Sequence, residues 1–239
     1  MLAAIALTPS APVLVPELAG AAAAEVAGLR SAALAAVATL PKRWIVIGVG
    51  PADRVIESSA GGSFAGYGVD VPVLLAPDAA ATVVDLPLCA LTAGWLRGQA
   101  APDACAAVRV FAADHDADAA LGFGRALRTE IDAIGESIGV LVVADGANTL
   151  TPSAPGGYDP DAPAVQETLD EALATGDRVA LGRLPEQIIG RVAYQVLAGL
   201  TEDQTYVTTE LARGAPFGVG YFVGTWIYPG RSASTRQSA

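Results

Sequence analysis

Short, wholly apolar runs alternate with longer alanine-rich stretches, and this alternation limits the possible fold more than any other feature. Trp44–Val49 and Gly139–Ala144 are continuous apolar runs, typical of strands that are covered on both faces. Leu2–Leu7 and Ala107–Phe111 are two further predicted strands. Because strands that alternate with helices form layered domains, the sequence predicts an α/β domain with a largely parallel or mixed sheet.

The remaining predicted elements continue this alternation. Helices are expected over Glu17–Leu40, Val84–Arg97, Ala119–Ser137, Ala164–Thr175 and Pro185–Leu200, and strands over Val69–Leu75, Thr205–Leu211 and Gly218–Ile227. The chain shows no repeat of fixed period and no internal linker. We therefore expect one domain over residues 1–228 and a disordered polar tail over residues 229–239.

Composition excludes several classes of protein. Hydrophobic residues make up 52% of the chain and charged residues 16%, which is sufficient for a buried core and argues against intrinsic disorder. The net charge is −11, and only 14 Lys and Arg residues are spread along the chain. Nucleic acid is therefore not an expected partner, since phosphate binding requires clustered basic residues.

No membrane span or secretory signal is expected either. The most apolar stretch, residues 19–40, contains Glu25 and Arg30, whereas a membrane helix needs about 20 residues with few or no charges. Prolines interrupt the N-terminal segment, which also lacks a basic region. We predict a cytoplasmic protein in which Cys89 and Cys105 are reduced thiols.

Three loops follow predicted strands and are rich in Gly, Pro and small polar residues. They are Thr8–Pro16, Gly48–Arg54 and Asp145–Tyr158. Because α/β proteins place ligand chemistry in loops that follow strands, the three loops together suggest one shared cleft. Ordinary turn chemistry explains each loop alone equally well.

Three segments resemble the class III extradiol dioxygenase (LigB-like) family, which includes Memo-like proteins. The segments are LTPSAPVLVPEL at 7–18, LVVADGANTLTPSAPGGYDPDAP at 141–163 and GAPFGVGYFVGTW at 214–226, with weaker similarity at 61–68 and 113–123. They occur in the family's order along most of the chain. The resemblance implies a three-layer α/β/α sandwich with a mixed central sheet. In the family, two histidines and one glutamate hold an Fe(II) that activates O₂ for ring cleavage, a ligand set that leaves coordination positions open.

The family's iron site cannot be assembled from these residues. Its two histidine ligands fall on Ser10 and on or beside Gly50, and its acid/base histidine falls on Asn148. The glutamate ligand falls near Ile188, with Glu186 two residues away. The chain contains one histidine in all, so two imidazole ligands from one chain are impossible. We expect no metal and no cofactor.

Some family positions are retained. Asp145 and His115 match the family pattern. Asp114, Asp116 and Asp118 beside His115 could supply oxygen ligands to a metal, although an acidic helix N-terminus is the simpler interpretation.

The candidate cleft is therefore assembled from polar and aromatic residues. Ser10 and Asn148 would line it or cap turns, and Tyr158 and Tyr221 would form its walls. The complete candidate set is Ser10, Gly50, His115, Asp145, Asn148, Tyr158, Glu186 and Tyr221. No serine-nucleophile elbow and no dinucleotide-binding glycine motif is present.

These observations favour a LigB-like protein that has lost ring cleavage and retains a cleft for a small molecule or a protein partner. Two alternatives stay open. One is an enzyme with substitute metal ligands such as Asp145, Glu186 and His115. The other is a noncatalytic subunit of a heteromer. The sequence names no ligand, leaves enzymatic activity uncertain, and leaves a homo-oligomer open.

Overall fold

Seven strands form one mixed sheet, and helices cover both of its faces. The computed structural model describes residues 1–79 and 84–229. The strands are β1 (Leu2–Thr8), β2 (Arg43–Gly50), β3 (Arg54–Ile56), β4 (Gly61–Ser63), β5 (Pro72–Leu74), β6 (Cys105–Ala112), β7 (Ile138–Val143), β8 (Val207–Gly214) and β9 (Tyr221–Ile227). The helices are α1 (Pro16–Ala19), α2 (Ala27–Val37), α3 (Leu88–Ala100), α4 (Ala117–Ala133), α5 (Ala162–Thr175), α6 (Arg178–Leu181) and α7 (Arg191–Leu200).

The strand order in the main sheet is β3-β6-β2-β7-β1-β9-β8. β6, β2, β7 and β1 are parallel to one another, whereas β9 is antiparallel to β1 and β8 is antiparallel to β9. β4 and β5 form a separate two-stranded sheet. The expectation of a mixed sheet is therefore confirmed.

Alternate residues of each central strand enter two different core clusters. In β2, Trp44 and Val46 pack on the side of α2 and α3, whereas Ile45 and Ile47 pack on the side of α4, α5 and α7. This alternation follows from the period of two in a strand. Because both faces are apolar and covered, the fold is the three-layer α/β/α sandwich that the sequence analysis predicted.

The predicted helix over Glu17–Leu40 is interrupted. α1 ends at Ala19, and Gly20 follows with a φ of 52°, a backbone conformation that favours glycine. A short 3-10 turn leads to α2, which begins at Ala27. The prediction of one continuous helix was wrong because alanine propensity does not override this glycine break.

Two other predicted helices begin too early. α3 begins at Leu88 instead of Val84, since Pro87 disfavours helical backbone at the residue before it. α7 begins at Arg191 instead of Pro185. The preceding Ile189 and Gly190 donate their backbone N–H groups to the loop after β7, so they are not part of a helix.

Within the described residues, no helix combines the length and apolar character needed to cross a bilayer. The predicted tail falls almost entirely on residues 230–239, which lie outside the described part of the chain.

Candidate functional site

The three predicted loops begin at one edge of the main sheet. β1, β2 and β7 are mutually parallel neighbours, so their carboxyl ends lie side by side. β9 runs antiparallel to β1, which brings its first residue, Tyr221, to the same edge. In an open α/β sheet this edge is where ligands usually bind.

Ser10 and Asp145 meet directly at this edge. The backbone N–H of Ser10 donates to Oδ1 of Asp145 at 2.8 Å. Two residues earlier, the carbonyl of Thr8 accepts from the N–H of Ala144 at 3.0 Å. The loops after β1 and β7 are thus joined by a backbone contact and a side-chain contact, as the shared-cleft hypothesis requires for these two loops.

The backbone that follows Asp145 is braced from two sides. Gly190 donates to the carbonyl of Asp145 at 2.9 Å, and Ile189 donates to the carbonyl of Gly146 at 3.2 Å. Gly146 and Gly220 are joined by an N–H to carbonyl bond of 2.8 Å. The backbone of Asp145 and Gly146 is therefore held by the segment before α7 and by the segment before β9.

A third brace comes from Gln166 on α5, which the sequence analysis did not identify. The side chain is 7% exposed. Its Oε1 accepts from the N–H of Ala147 at 2.8 Å, and its Nε2 donates to Oδ1 of Asp170 at 2.8 Å. A Cβ at either Gly146 or Gly220 would collide with Oε1. The sequence did contain a signal for this contact. Gly146 and Gly220 lie in two separate motifs, and a close approach of a side chain to the backbone requires glycine.

The Asp145 carboxyl is partly buried and lacks a cationic partner. Burial raises the pKa of Asp145 to about 7, while the bond from the Ser10 N–H opposes this shift. Oδ2 makes no hydrogen bond with any residue in the described ranges. Near neutral pH the group can therefore both accept and release a proton.

Two unpaired hydroxyl groups lie at the same edge, on the side of α2 and α3. Tyr221 is 5% exposed, and its hydroxyl has no hydrogen-bond partner among the described residues. Burial, followed by the charge of Asp145, raises the pKa of the Tyr221 phenol. Thr8 is 2% exposed, and its buried Oγ1 also lacks a partner within residues 1–79 and 84–229. Thr8 was not among the predicted site residues.

Gly50 lies at the end of β2 but contributes no open space to a metal site. It pairs with Ala112 of β6. A Cβ at Gly50 would approach Cγ1 of Val110 to 2.6 Å, so a larger side chain would have to displace that valine.

His115 is engaged at the end of β6, away from the Ser10–Asp145 contact. Its Nε2 lies 2.8 Å and 3.0 Å from the two carboxylate oxygens of Asp53. The ring packs edge-on against Phe123, with centroids 4.8 Å apart. The bond from the Ala112 N–H, followed by the bond to His115, lowers the pKa of Asp53.

The other predicted residues do not bond to the Ser10–Asp145 pair. Asn148 is partly buried, and its side chain makes no hydrogen bond with the described residues. Tyr158 is 58% exposed and Glu186 is exposed on the segment that braces Asp145. None of these three side chains contacts Ser10 or Asp145 through a hydrogen bond in the described chain.

No group of three His, Cys, Asp or Glu side chains within the described ranges has the arrangement of a metal site. Both cysteines are free thiols. Cys89 packs against Gly48 at the start of α3, and burial raises its pKa to about 11. The thiol is therefore protonated at neutral pH and is a poor nucleophile.

Two cavities in the described chain lie elsewhere, away from this edge. One, of about 490 Å³, is formed by α4, α6 and α7 and includes Leu121, Arg183 and Glu202. The other, of about 420 Å³, lies between α5 and the β8–β9 turn and includes Asp170 and Arg213.

Comparison with known proteins identifies a shared fold. No family model matches the chain, and no curated protein matches it. The crystal structure of uncharacterized protein JW3007 from Escherichia coli K12 is similar, with a TM-score of 0.57 and 16% sequence identity. The similarity covers 94% of this chain and 99% of that one. At this identity, the similarity concerns the fold alone.

Proposed function

We propose that this is a LigB-like protein that has lost Fe(II)-dependent ring cleavage and that uses the edge of its sheet to bind a small molecule. The observation that carries the proposal is the Asp145 carboxyl, which is held by Ser10 with one oxygen unpaired. A buried carboxyl without a compensating charge costs free energy. A ligand that pairs with it would offset this cost.

The proposed loss of ring cleavage is supported by the residues at the positions of the family's histidines. Ser10 has a hydroxyl, Gly50 has no side chain, and Asn148 has an amide. None of them provides the imidazole nitrogen on which the family's iron chemistry depends. The one histidine, His115, is bonded to Asp53.

Binding sites usually combine a mostly apolar wall with a few fixed polar groups. Here the fixed polar groups are Asp145, Tyr221 and Thr8, at the ends of three adjacent strands. They suit the polar end of a small molecule.

The first experiment tests the loss of chemistry. Purified protein is incubated anaerobically with Fe(II), desalted, and then exposed to catechol and O₂ while the absorbance of the ring-opened product is followed. We expect no retained iron and no product. Stoichiometric iron together with turnover would contradict the proposal.

The second experiment tests binding. A thermal-shift screen of small metabolites is run on the wild-type chain, Asp145→Asn and Asp103→Asn. Asp103 is an exposed carboxylate that precedes β6 at the opposite edge of the sheet, so its variant controls for the change in net charge. Hits should disappear in Asp145→Asn and persist in Asp103→Asn.

A further inference from the structure

Three polar groups with unused bonding capacity lie together at the edge where Ser10 meets Asp145. They are Oδ2 of Asp145, the hydroxyl of Tyr221 and Oγ1 of Thr8. We infer that the ligand of this site is a small organic cation that carries a protonated amine, with the ammonium group bound to Asp145. This inference rests on the proposed function and names the ligand class for the same site.

Strand register brings the three groups to one place. β1 pairs with β7 so that Thr8 is opposite Val143, two residues before Asp145. β1 also pairs with β9, with Leu7 opposite Gly224. If the same antiparallel register is extended beyond the paired residues, Ser10 lies opposite Tyr221. Thr8, Asp145 and Tyr221 therefore come from the ends of three adjacent strands.

The buried hydroxyl of Thr8 points to a ligand. Thr8 is 2% exposed, and its Oγ1 is buried without a partner in the described chain. Tyr221 is 5% exposed as a residue, and its hydroxyl oxygen is unpaired among the described residues but reaches solvent. Buried polar groups are nearly always hydrogen-bonded, so such exceptions require an explanation. A ligand with several donors would satisfy both hydroxyl oxygens.

The chemistry of the site favours an ammonium group over other ligands. An ammonium has three N–H donors and no acceptor, which suits a carboxylate and two hydroxyl oxygens. A charge-assisted bond to the carboxylate is also about twice as strong as a neutral one. An anionic ligand would instead meet the charge of Asp145, since no Lys, Arg or His side chain in the described ranges contacts that carboxyl.

The arginines at the start of β3 and at the start of α7 bond to other groups. Arg54 donates to the carbonyl of Asp85, and Arg191 donates to Ala113 and Gln195. The net charge of −11 also favours the approach of a cation.

The titration of Asp145 gives the inference a pH signature. Burial raises the pKa of Asp145 to about 7, so below that pH the ammonium must displace a proton. Affinity should therefore rise about tenfold for each unit of pH up to about 7 and then level off. The titratable groups that face Asp145 are Tyr194 and Tyr221, whose pKa values are both raised, so both stay neutral across this range.

The test uses ¹⁵N-labelled full-length protein and three probes of matched size: butylammonium, butan-1-ol and butyrate. The amide of Ser10 reports on Asp145 directly because it donates to that carboxyl. We expect butylammonium to shift the Ser10 and Tyr221 amides, with the pH dependence given above. Binding should weaken at least tenfold in Asp145→Asn, weaken less in Tyr221→Phe, and be unchanged in Asp103→Asn.

Stronger binding of butan-1-ol or butyrate at the same amides would overturn the ammonium assignment and leave the proposed small-molecule site standing. Butylammonium binding that is insensitive to both Asp145→Asn and pH would also overturn it. If none of the probes and none of the metabolites in the thermal-shift screen affected these amides, the inference and the proposed function would both fail. The Tyr221→Phe variant keeps the test valid if Asp145→Asn does not fold.

Discussion

The backbone N–H of Ser10 donates to Oδ1 of Asp145 at 2.8 Å, across 135 residues of sequence. This bond joins the loops that follow two adjacent parallel strands, β1 and β7. It uses the backbone of Ser10 and leaves the serine hydroxyl free of that contact. One side of the Asp145 carboxyl is thereby fixed, and the other is available to a ligand.

The pH dependence of stability should depend on Asp145. Burial raises the pKa of its carboxyl to about 7, above the ordinary aspartate value of 3.8, so the folded state binds this proton more tightly than the unfolded state. The stabilisation that this tighter proton binding gives the folded state is complete at low pH and is lost as pH rises from about 4 to 7. Asp145→Asn removes this dependence while keeping an acceptor for Ser10.

Urea unfolding of both proteins between about pH 4 and pH 8 tests this linkage. As the pH rises across that range, the free energy of unfolding of the variant should increase by about 1 to 3 kcal/mol relative to that of the wild type. This range allows for the partial exposure of the carboxyl. A stability difference that does not change with pH would show that folding does not raise the pKa of this carboxyl.

Gln166 should be required for stability as well as for the position of the Asp145 loop. Gln166→Leu leaves the buried N–H of Ala147 without an acceptor. We expect a loss of about 1 to 3 kcal/mol in the free energy of unfolding, measured by urea denaturation. Glu167→Leu, at the next and exposed position of α5, is the control and should change stability by about 0.5 kcal/mol or less.

The glycines around Gln166 should not tolerate a side chain. A Cβ at Gly220 would collide with Oε1 of Gln166, so Gly220→Ala should cost about 1 to 3 kcal/mol. Gly98→Ala is the matched control, because nothing lies within 4 Å of a Cβ at Gly98 in α3. Thermal melts should show a lower melting temperature for the first variant only. The double variant with Gly220→Ala and Gln166→Ser should lose less free energy of unfolding than the sum of the losses of the two single variants.

Asn148 should be dispensable for folding. Its side chain makes no hydrogen bond within the described residues, so Asn148→Leu should change the free energy of unfolding by about 0.5 kcal/mol or less. Ser10→Ala should behave in the same way, since only the backbone of Ser10 binds Asp145. A large drop in melting temperature for Asn148→Leu would mean that the side chain holds the loop in place.

The sequence was most informative where burial alone determines structure. The apolar runs at Trp44–Val49 and Gly139–Ala144 became the central strands β2 and β7, because strands covered on both faces leave an unambiguous pattern. The short strands β3 and β4 were not predicted, since three residues each carry too little periodicity.

Long-range hydrogen bonds account for what could not be predicted around the site. Ile189 and Gly190 were assigned to a helix, yet their N–H groups bond to Gly146 and Asp145 instead. Gln166 was overlooked because its partner, Ala147, is 19 residues away and belongs to a different element. The helix propensity of a segment does not depend on such distant partners, so it could not indicate them. The meeting of Ser10 and Asp145 was predictable because it follows from the parallel order of their strands.

Mapping the hits of the metabolite screen by amide shift perturbation is the most direct measurement of the central claim. If the sheet edge is the binding site, the perturbed amides will centre on Ser10, Gly146 and Tyr221, and Asp145→Asn will abolish the perturbation. Shifts centred instead on the cavity around Leu121, Arg183 and Glu202, with Ser10 and Tyr221 unaffected, would contradict the account.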